Sequence, residues 1–395
     1  MTTAPRRMGS IDVFRAITML LMIFVNDLWS LNGIPGWLEH TGANDDGMGL
    51  ADTVFPAFLF IVGLSIPFAI QARKAKGESK SNTAVHILLR TLALLVMGVF
   101  HVNLEHYNHV ALLSKPVYQI LITVGFFMVW LDYPTTVSKQ RRFTWQGIGI
   151  ALLTALAILY KGGEGDTIIW MRPYWWGILG IIGWSYLLVA GIYLIGNGRL
   201  GVLVAALIFF FGFNVANHAG WLNALDPVKP YLWIVTGGSS PALTMAGVVV
   251  AVIYRRLSLQ GKEKLGWIVL SLLAIFMVLF GFATRPLGGI SKIKATPSWT
   301  AICTGISIVC FVILIILVDI KGRKNWFALI KPAGTSTLTC YLLPYIIYAL
   351  VTLAKISLPA FLLTGGVGLI KSFLFAMIVI ALGGLLEKWR LRLKI

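Results

Sequence analysis

The sequence predicts an all-α integral membrane protein of about 12 transmembrane helices with both termini cytoplasmic, and three observations carry this reading. First, 58% of its 395 residues are hydrophobic and only 12% are charged, about half the charged share of a soluble domain; its mean hydropathy is +0.83. Second, apolar windows of about 20 residues, the length a helix needs to cross the hydrocarbon layer, recur along the whole chain. Third, Lys and Arg crowd the loops of one side.

The first window, 11–33, follows a short basic stretch, MTTAPRRMGS. It runs on without an A-x-A cleavage pattern, so it reads as an anchor helix and not as a removed signal. Ser10 is placed to cap it. Asp12 and Arg15, three residues apart at its cytoplasmic entry, can pair on one helix face. Windows follow at 51–72, 84–104, 114–132, 144–161, 175–195, 200–217, 231–254, 265–283, 299–319, 327–353 and 367–386. Lys115 and Pro116 open the fourth. No linker, low-complexity tract or repeat divides the chain, so 1–395 reads as a single membrane domain.

Twelve spans put both termini on one side, and the loops there hold 21 of the 33 Lys and Arg, from Arg6 and Arg7 through Arg255, Arg256 and Lys324 to Lys394. By the positive-inside rule that side is the cytoplasm. The net charge of +18 is thereby accounted for by topology, and nucleic-acid binding drops out. Nine of the fifteen acids lie toward the outer face: Asp27, Glu39, Asp45, Asp46, Asp52, Glu105, Glu164, Asp166 and Asp226. Such a vestibule would attract a cationic amine; equally, acids accumulate wherever Lys and Arg are excluded. Cys303, Cys310 and Cys340 fall within predicted helices without C-x-x-C spacing and read as packing residues.

The longer loops lie on the outer side, where sites tend to be built. The richest is WLEHTGANDDGMGLADTVFPAF, Trp37 to Phe58. The His40 imidazole can take a proton or accept an acyl group. Asp45, Asp46 and Asp52 can orient the imidazole or bind an amine, while Gly42, Gly47 and Gly49 let the backbone fold tightly. The plain alternative is a wet loop histidine and an aspartate that caps the next helix. Asn26 and Asp27, polar groups at the outer end of an apolar helix, point to the same region.

A second outer segment, HVNLEHYNH, places His101, Glu105 and His109 at helical i, i+4, i+8 spacing, a possible zinc set. Arg90, inside the third window, is suited to hold a phosphate or to form a structural ion pair; Arg285 ends the ninth. Walker, Rossmann and H-E-x-x-H patterns are missing, which argues against an ATPase or a zinc protease.

SIDVFRAITMLLMIFVN followed by ADTVFPAFLFIVGLSI resembles the heparan-alpha-glucosaminide N-acetyltransferases and their bacterial relatives, members of the transmembrane acyltransferase superfamily. Asp12, Phe14 and Arg15 match the family's VDxFRG, with Ala16 in place of glycine. Asp52, Val54, Phe55, Pro56, Phe58, Phe60, Ile61 and Gly63 match DLVFPxFxFIxG. KPVYQILITVG is similar to IPGVLQRIG through Pro116 and Gln119, with Ile120 where the family has arginine. KATPSWTAICTGI, VDIKGRKNW and PAGTSTLTCYLL resemble its late segments.

The resemblance implies an acetyl-CoA-dependent amino-sugar N-acetyltransferase, with acetyl-CoA as co-substrate, no metal, and His40 as the family's loop histidine, acting as base or acyl carrier. Asn26 matches the asparagine of the family's FVN and would orient the histidine or the acyl carbonyl. Asp45, Asp46, Asp52, Arg15, Arg90 and Gln119 are the expected substrate and donor contacts. The bacterial relatives imply the inner membrane, with homodimerisation left open. The loop from His40 to Asp52 is about two residues longer than in relatives, and helices at 175–217 form a pair beyond a ten-helix family core. A secondary transporter of a small sugar or amine, or an O-acyltransferase of cell-envelope glycans, stays open as an alternative.

Overall fold

The computed structural model describes residues 8–165, 167–227, 237–323 and 325–395. Among these the chain is helical, with short 3₁₀ turns, a π-helical turn at Ile315–Ile320 and isolated β-bridges. The helices are α1 (Gly9–Asp27), α2 (Ala51–Ala75), α3 (Lys80–Asn103), α4 (Lys115–Trp130), α5 (Lys139–Leu159), α6 (Ile178–Ile195), α7 (Leu200–His218), α8 (Ser239–Leu259), α9 (Glu263–Ala283), α10 (Pro297–Leu314), α11 (Lys331–Thr335), α12 (Thr337–Leu353) and α13 (Gly365–Lys388). Among the described residues nine of them, α2, α3, α5 to α10 and α13, are long and apolar enough to cross a membrane. The segment Asn325–Thr335 with α12 makes a tenth if counted as one span, bent by 75°.

The differences from the sequence windows have local causes. The window 11–33 is helical only to Asp27, after which the chain makes a 3₁₀ turn at Leu28–Ser30. The window 114–132 yields a helix of sixteen residues, short of the usual span. The window 327–353 breaks at Ser336, which leaves helical geometry just after Pro332 and Gly334, two poor helix formers. The start of the window 231–254, with Arg6, Arg7, Asp166 and Lys324, lies outside the described residues. Ser10 does not cap α1. The carboxylate of Asp319 accepts the Gly9 and Ser10 N–H groups at 2.9 and 3.3 Å, and the Ser10 hydroxyl is buried without a partner.

The described residues form two compact units, one within Met1–Thr18, Pro35–Leu92 and Ile181–Phe327, the other within Met19–Ile34, Ala93–Gly180 and Ala328–Ile395. The first is built on the crossing of α2 and α8, with α7, α9 and α10 packed around them. Two glycines set that crossing. A Cβ on Gly63 would stand 1.8 Å from the Thr244 carbonyl oxygen, and one on Gly247 would stand 2.0 Å from that of Phe60. Without side chains the two backbones approach directly, the small-residue packing that membrane helices favour. Phe60, Leu64, Val248, Phe311 and Ile315 fill the core beside them. On α9, Ile268, Leu272, Ile275, Phe276 and Leu279 form an exposed apolar stripe, as a lipid-facing helix requires.

In the second unit α4 packs on α5 and α12, and α13 packs on α11 and α12. Its polar groups are tied inward. Tyr118 Oη donates to the Leu156 carbonyl at 3.2 Å and Tyr160 Oη to that of Asn103 at 2.9 Å. Asp27, nearly inaccessible, accepts Tyr348 Oη, Lys371 Nζ and Ser372 Oγ, each at 2.6 Å.

Candidate functional site

The first unit folds the segment 35–50 back over the start of α2. Leu50 N–H reaches the Trp37 carbonyl at 2.7 Å. The reversal passes through Gly49, where a Cβ would stand 2.0 Å from the Glu39 carbonyl oxygen, so only glycine fits. Asp52, in the first turn of α2 and 1% exposed, gathers this loop with its carboxylate. Its Oδ2 accepts Thr41 N–H at 3.0 Å and Gly49 N–H at 3.1 Å, and its Oδ1 lies 2.7 Å from His40 Nδ1. Asp52 does not cap α2, whose start has no side-chain cap; its carboxylate ties the preceding loop instead.

The His40–Asp52 contact fixes a tautomer. A carboxylate oxygen can only accept, so Nδ1 carries the proton and Nε2 keeps its lone pair in the neutral ring. The His40 side chain is 47% exposed while Asp52 is buried, so a half-exposed imidazole is held from a buried anchor. This is the base-and-orienter arrangement of acyl-transfer triads.

A third group completes the cluster, and sequence reading missed it. Lys292, on the loop between α9 and α10, places Nζ 3.2 Å from His40 Nδ1, 3.5 Å from Nε2 and 3.9 Å from Asp52 Oδ1. Burial pushes its ammonium below the usual lysine range, and the Asp52 charge opposes this. Its loop is pinned on both flanks. Asp46 accepts Ile290 N–H at 2.7 Å and Arg285 Nε at 2.8 Å, and Gly47 N–H donates to the Ile290 carbonyl. Beyond Lys292, Thr296 Oγ1 accepts Ser291 N–H, and Asn214 Nδ2 donates to the Ala295 carbonyl. The floor is closed by Trp299 Nε1, which donates to the Asp52 carbonyl at 3.1 Å.

The other sequence-predicted residues divide by unit. In the first, Asp45 closes its own turn by accepting Gly42 N–H. The Asp46 carboxyl is held below the ordinary carboxylate range by the Ile290 N–H and then by Arg285. Arg15 donates to Ser65 Oγ at 2.8 Å and stands 3.5 Å from Asp12, the predicted i, i+3 pair. The Arg90 guanidinium lies 4.9 Å from the centre of the Tyr186 ring, a cation–π contact, and its Nε is buried without a hydrogen-bond partner. In the second unit, Asn26 is exposed at the end of α1. Gln119 Nε2 donates to the Tyr345 carbonyl at 2.7 Å, joining α4 to α12.

The zinc spacing read in HVNLEHYNH does not form. α3 ends at Asn103, whose amide is taken up by the Val99 and Arg172 carbonyls, so Glu105 and His109 leave the face of His101. His101 is buried and stacks on Tyr345, ring centres 4.1 Å apart. Among the described residues, no group of three or more His, Cys, Asp or Glu comes together to hold a metal.

Residues 7–234 match a family model described as a domain of unknown function, DUF5009. Among curated proteins the chain is similar to the heparan-alpha-glucosaminide N-acetyltransferase of Homo sapiens, 36% identical over 104 residues. It is 34% identical over 102 residues to the enzyme of the same name from Mus musculus. Each match covers 26% of this chain and 15% of the relative's length.

Proposed function

The chain belongs to the DUF5009 family, and we propose that it is a transmembrane N-acetyltransferase that moves an acetyl group from cytoplasmic acetyl-CoA to the amine of a glucosamine-type sugar at the outer side of the membrane. The observation that carries this reading is the His40–Asp52 pair, a half-exposed imidazole whose Nδ1 is held by a buried carboxylate. The similarity to N-acetyltransferases over about a quarter of the chain supports acetyl transfer as the chemistry of the pair.

In this reading His40 Nε2 takes the proton of the acceptor amine as it attacks the thioester, or is itself transiently acetylated. Asp52 holds the ring and stabilises the imidazolium that forms. Arg15 and Arg90 serve as donor contacts, and Asp45 and Asp46 lie on the acceptor's approach. Twelve spans put both termini in the cytoplasm of a bacterial inner membrane, where basic inner loops suit the phosphates of CoA. Helices α6 and α7 are a pair added to a ten-helix core.

The test is direct. Purified protein given acetyl-CoA and glucosamine should release free CoA and form the N-acetyl sugar. Uptake of sugar into proteoliposomes with no CoA release would show a transporter instead.

A further inference from the structure

We propose that Lys292 is a catalytic residue of the acyl transfer, the cation that stabilises the oxyanion formed at the carbonyl attacked beside His40. The proposal rests on the acetyl-transfer reading of the His40 site. Its geometric basis is independent of the similarity to known enzymes.

Nζ is almost equidistant from the two ring nitrogens, at 3.2 and 3.5 Å. A group on the lone-pair axis of Nε2 would be much farther from Nδ1. The ammonium therefore stands beside the face or Cε1 edge of the ring and leaves the Nε2 lone pair free. Base and cation thus border one volume, and a carbonyl carbon brought up to react beside Nε2 has its oxygen within reach of Nζ.

The position is also preorganised. Ile290 and Ser291 before Lys292, and Ala295 and Thr296 after it, are all tied to neighbouring groups. A fixed, desolvated cation aimed at developing charge is the most effective form of electrostatic catalysis. A purely structural ion pair fits less well. Asp52 is already satisfied by His40, Thr41 and Gly49, and Nζ stays 3.9 Å from it.

The step balances without a further reactant. The acceptor nitrogen lone pair forms the new C–N bond, and the carbonyl π electrons move onto oxygen, where Lys292 receives the charge. The oxyanion then collapses, the C–S bond breaks, and its electron pair leaves on sulfur. The proton taken from nitrogen by His40 Nε2 passes to that thiolate, giving the amide and the free thiol. If His40 is acetylated first, each half-reaction forms the same oxyanion in the same place.

Lys292→Met and Lys292→Arg test this. Lys292→Met should lower kcat about 10²–10³-fold, the usual loss for one oxyanion donor, with acetyl-CoA affinity and thermal unfolding close to the parent. Lys292→Arg should recover much of the rate. The groups around Nζ are His40, Asp52 and Cys303. The parent's rate should fall at alkaline pH as Lys292 loses its proton, and this limb should move up or vanish in Lys292→Arg. Equal losses in both variants with an unmoved alkaline limb would overturn the assignment.

A second readout does not need acetyl transfer. Diethyl pyrocarbonate acylates neutral imidazole through the same kind of oxyanion, and the labelling of His40 can be followed by mass spectrometry. The limiting rate for the neutral ring should drop at least several-fold in Lys292→Met and recover in Lys292→Arg. A parental rate in Lys292→Met would overturn the role of Lys292 even in a protein that transfers acetyl groups. A slowed rate in a protein that releases no CoA would keep that role and remove the acetyltransferase.

Discussion

His40 and Asp52, twelve positions apart in the chain, meet at 2.7 Å, and the contact decides which ring nitrogen is the base. Asp52 also receives the amides of Thr41 and Gly49, so one carboxylate both folds the loop and orients the imidazole. His40→Ala should abolish or nearly abolish acetyl transfer and leave acetyl-CoA binding intact. Asp52→Asn should cost about 10²–10⁴-fold, the range for loss of a working general base, because an amide can present N–H to Nδ1 and favour the wrong tautomer. His106→Ala, on another loop, should keep most activity. Transfer by His40→Ala at the parent rate would remove the catalytic assignment.

Some of this was legible in the chain. Among the described residues, nine of the apolar windows return as helices long enough to span, because hydrophobic length is a local property of sequence. His40 and Asp52 could be found because they share one segment with a recognisable pattern. Lys292 lies 252 residues from His40, in an SKIKAT run that reads as an ordinary basic loop, and only packing of that loop against 42–47 brings it to the ring. The zinc spacing failed for a complementary reason: i, i+4, i+8 is a face only while the helix lasts, and α3 stops at Asn103. The break at Ser336 was hidden because Asn325–Thr335 and α12, taken together, are apolar enough to read as one span.

Topology follows from the basic loops. Reporter fusions at Lys76 and Lys262 should report cytoplasm, and fusions at Asp46 and Asp226 the outer side. An outer signal from Lys76 would invert the arrangement and place His40 on the wrong side for an external acceptor.

The α2–α8 crossing should tolerate no side chain at its glycines. Gly63→Ala puts a methyl group 1.8 Å from the Thr244 carbonyl oxygen, a backbone atom that cannot rotate away. The cost should reach or exceed the roughly 1–3 kcal/mol typical of overpacking. Gly201→Ala on α7, where nothing lies within 4 Å, is the control and should be neutral or slightly stabilising. Unfolding in detergent compares the two, and equal stabilities would mean that the helices do not cross at Gly63.

Asp27 presents the opposite problem, a buried charge that must be kept paired. Its carboxylate receives Lys371, Tyr348 and Ser372 at 2.6 Å each, and its side chain is 5% exposed against 18% for Lys371. Removing the cation alone leaves an uncompensated buried charge, so Lys371→Met should destabilise the protein by about 3–5 kcal/mol. Removing both charges, as Asp27→Asn with Lys371→Met, should cost less than Lys371→Met alone, because the amide can still hydrogen-bond Tyr348 and Ser372. The comparison separates a structural clasp from a wet, weakly coupled pair, for which the single and double variants would lose equal and small amounts.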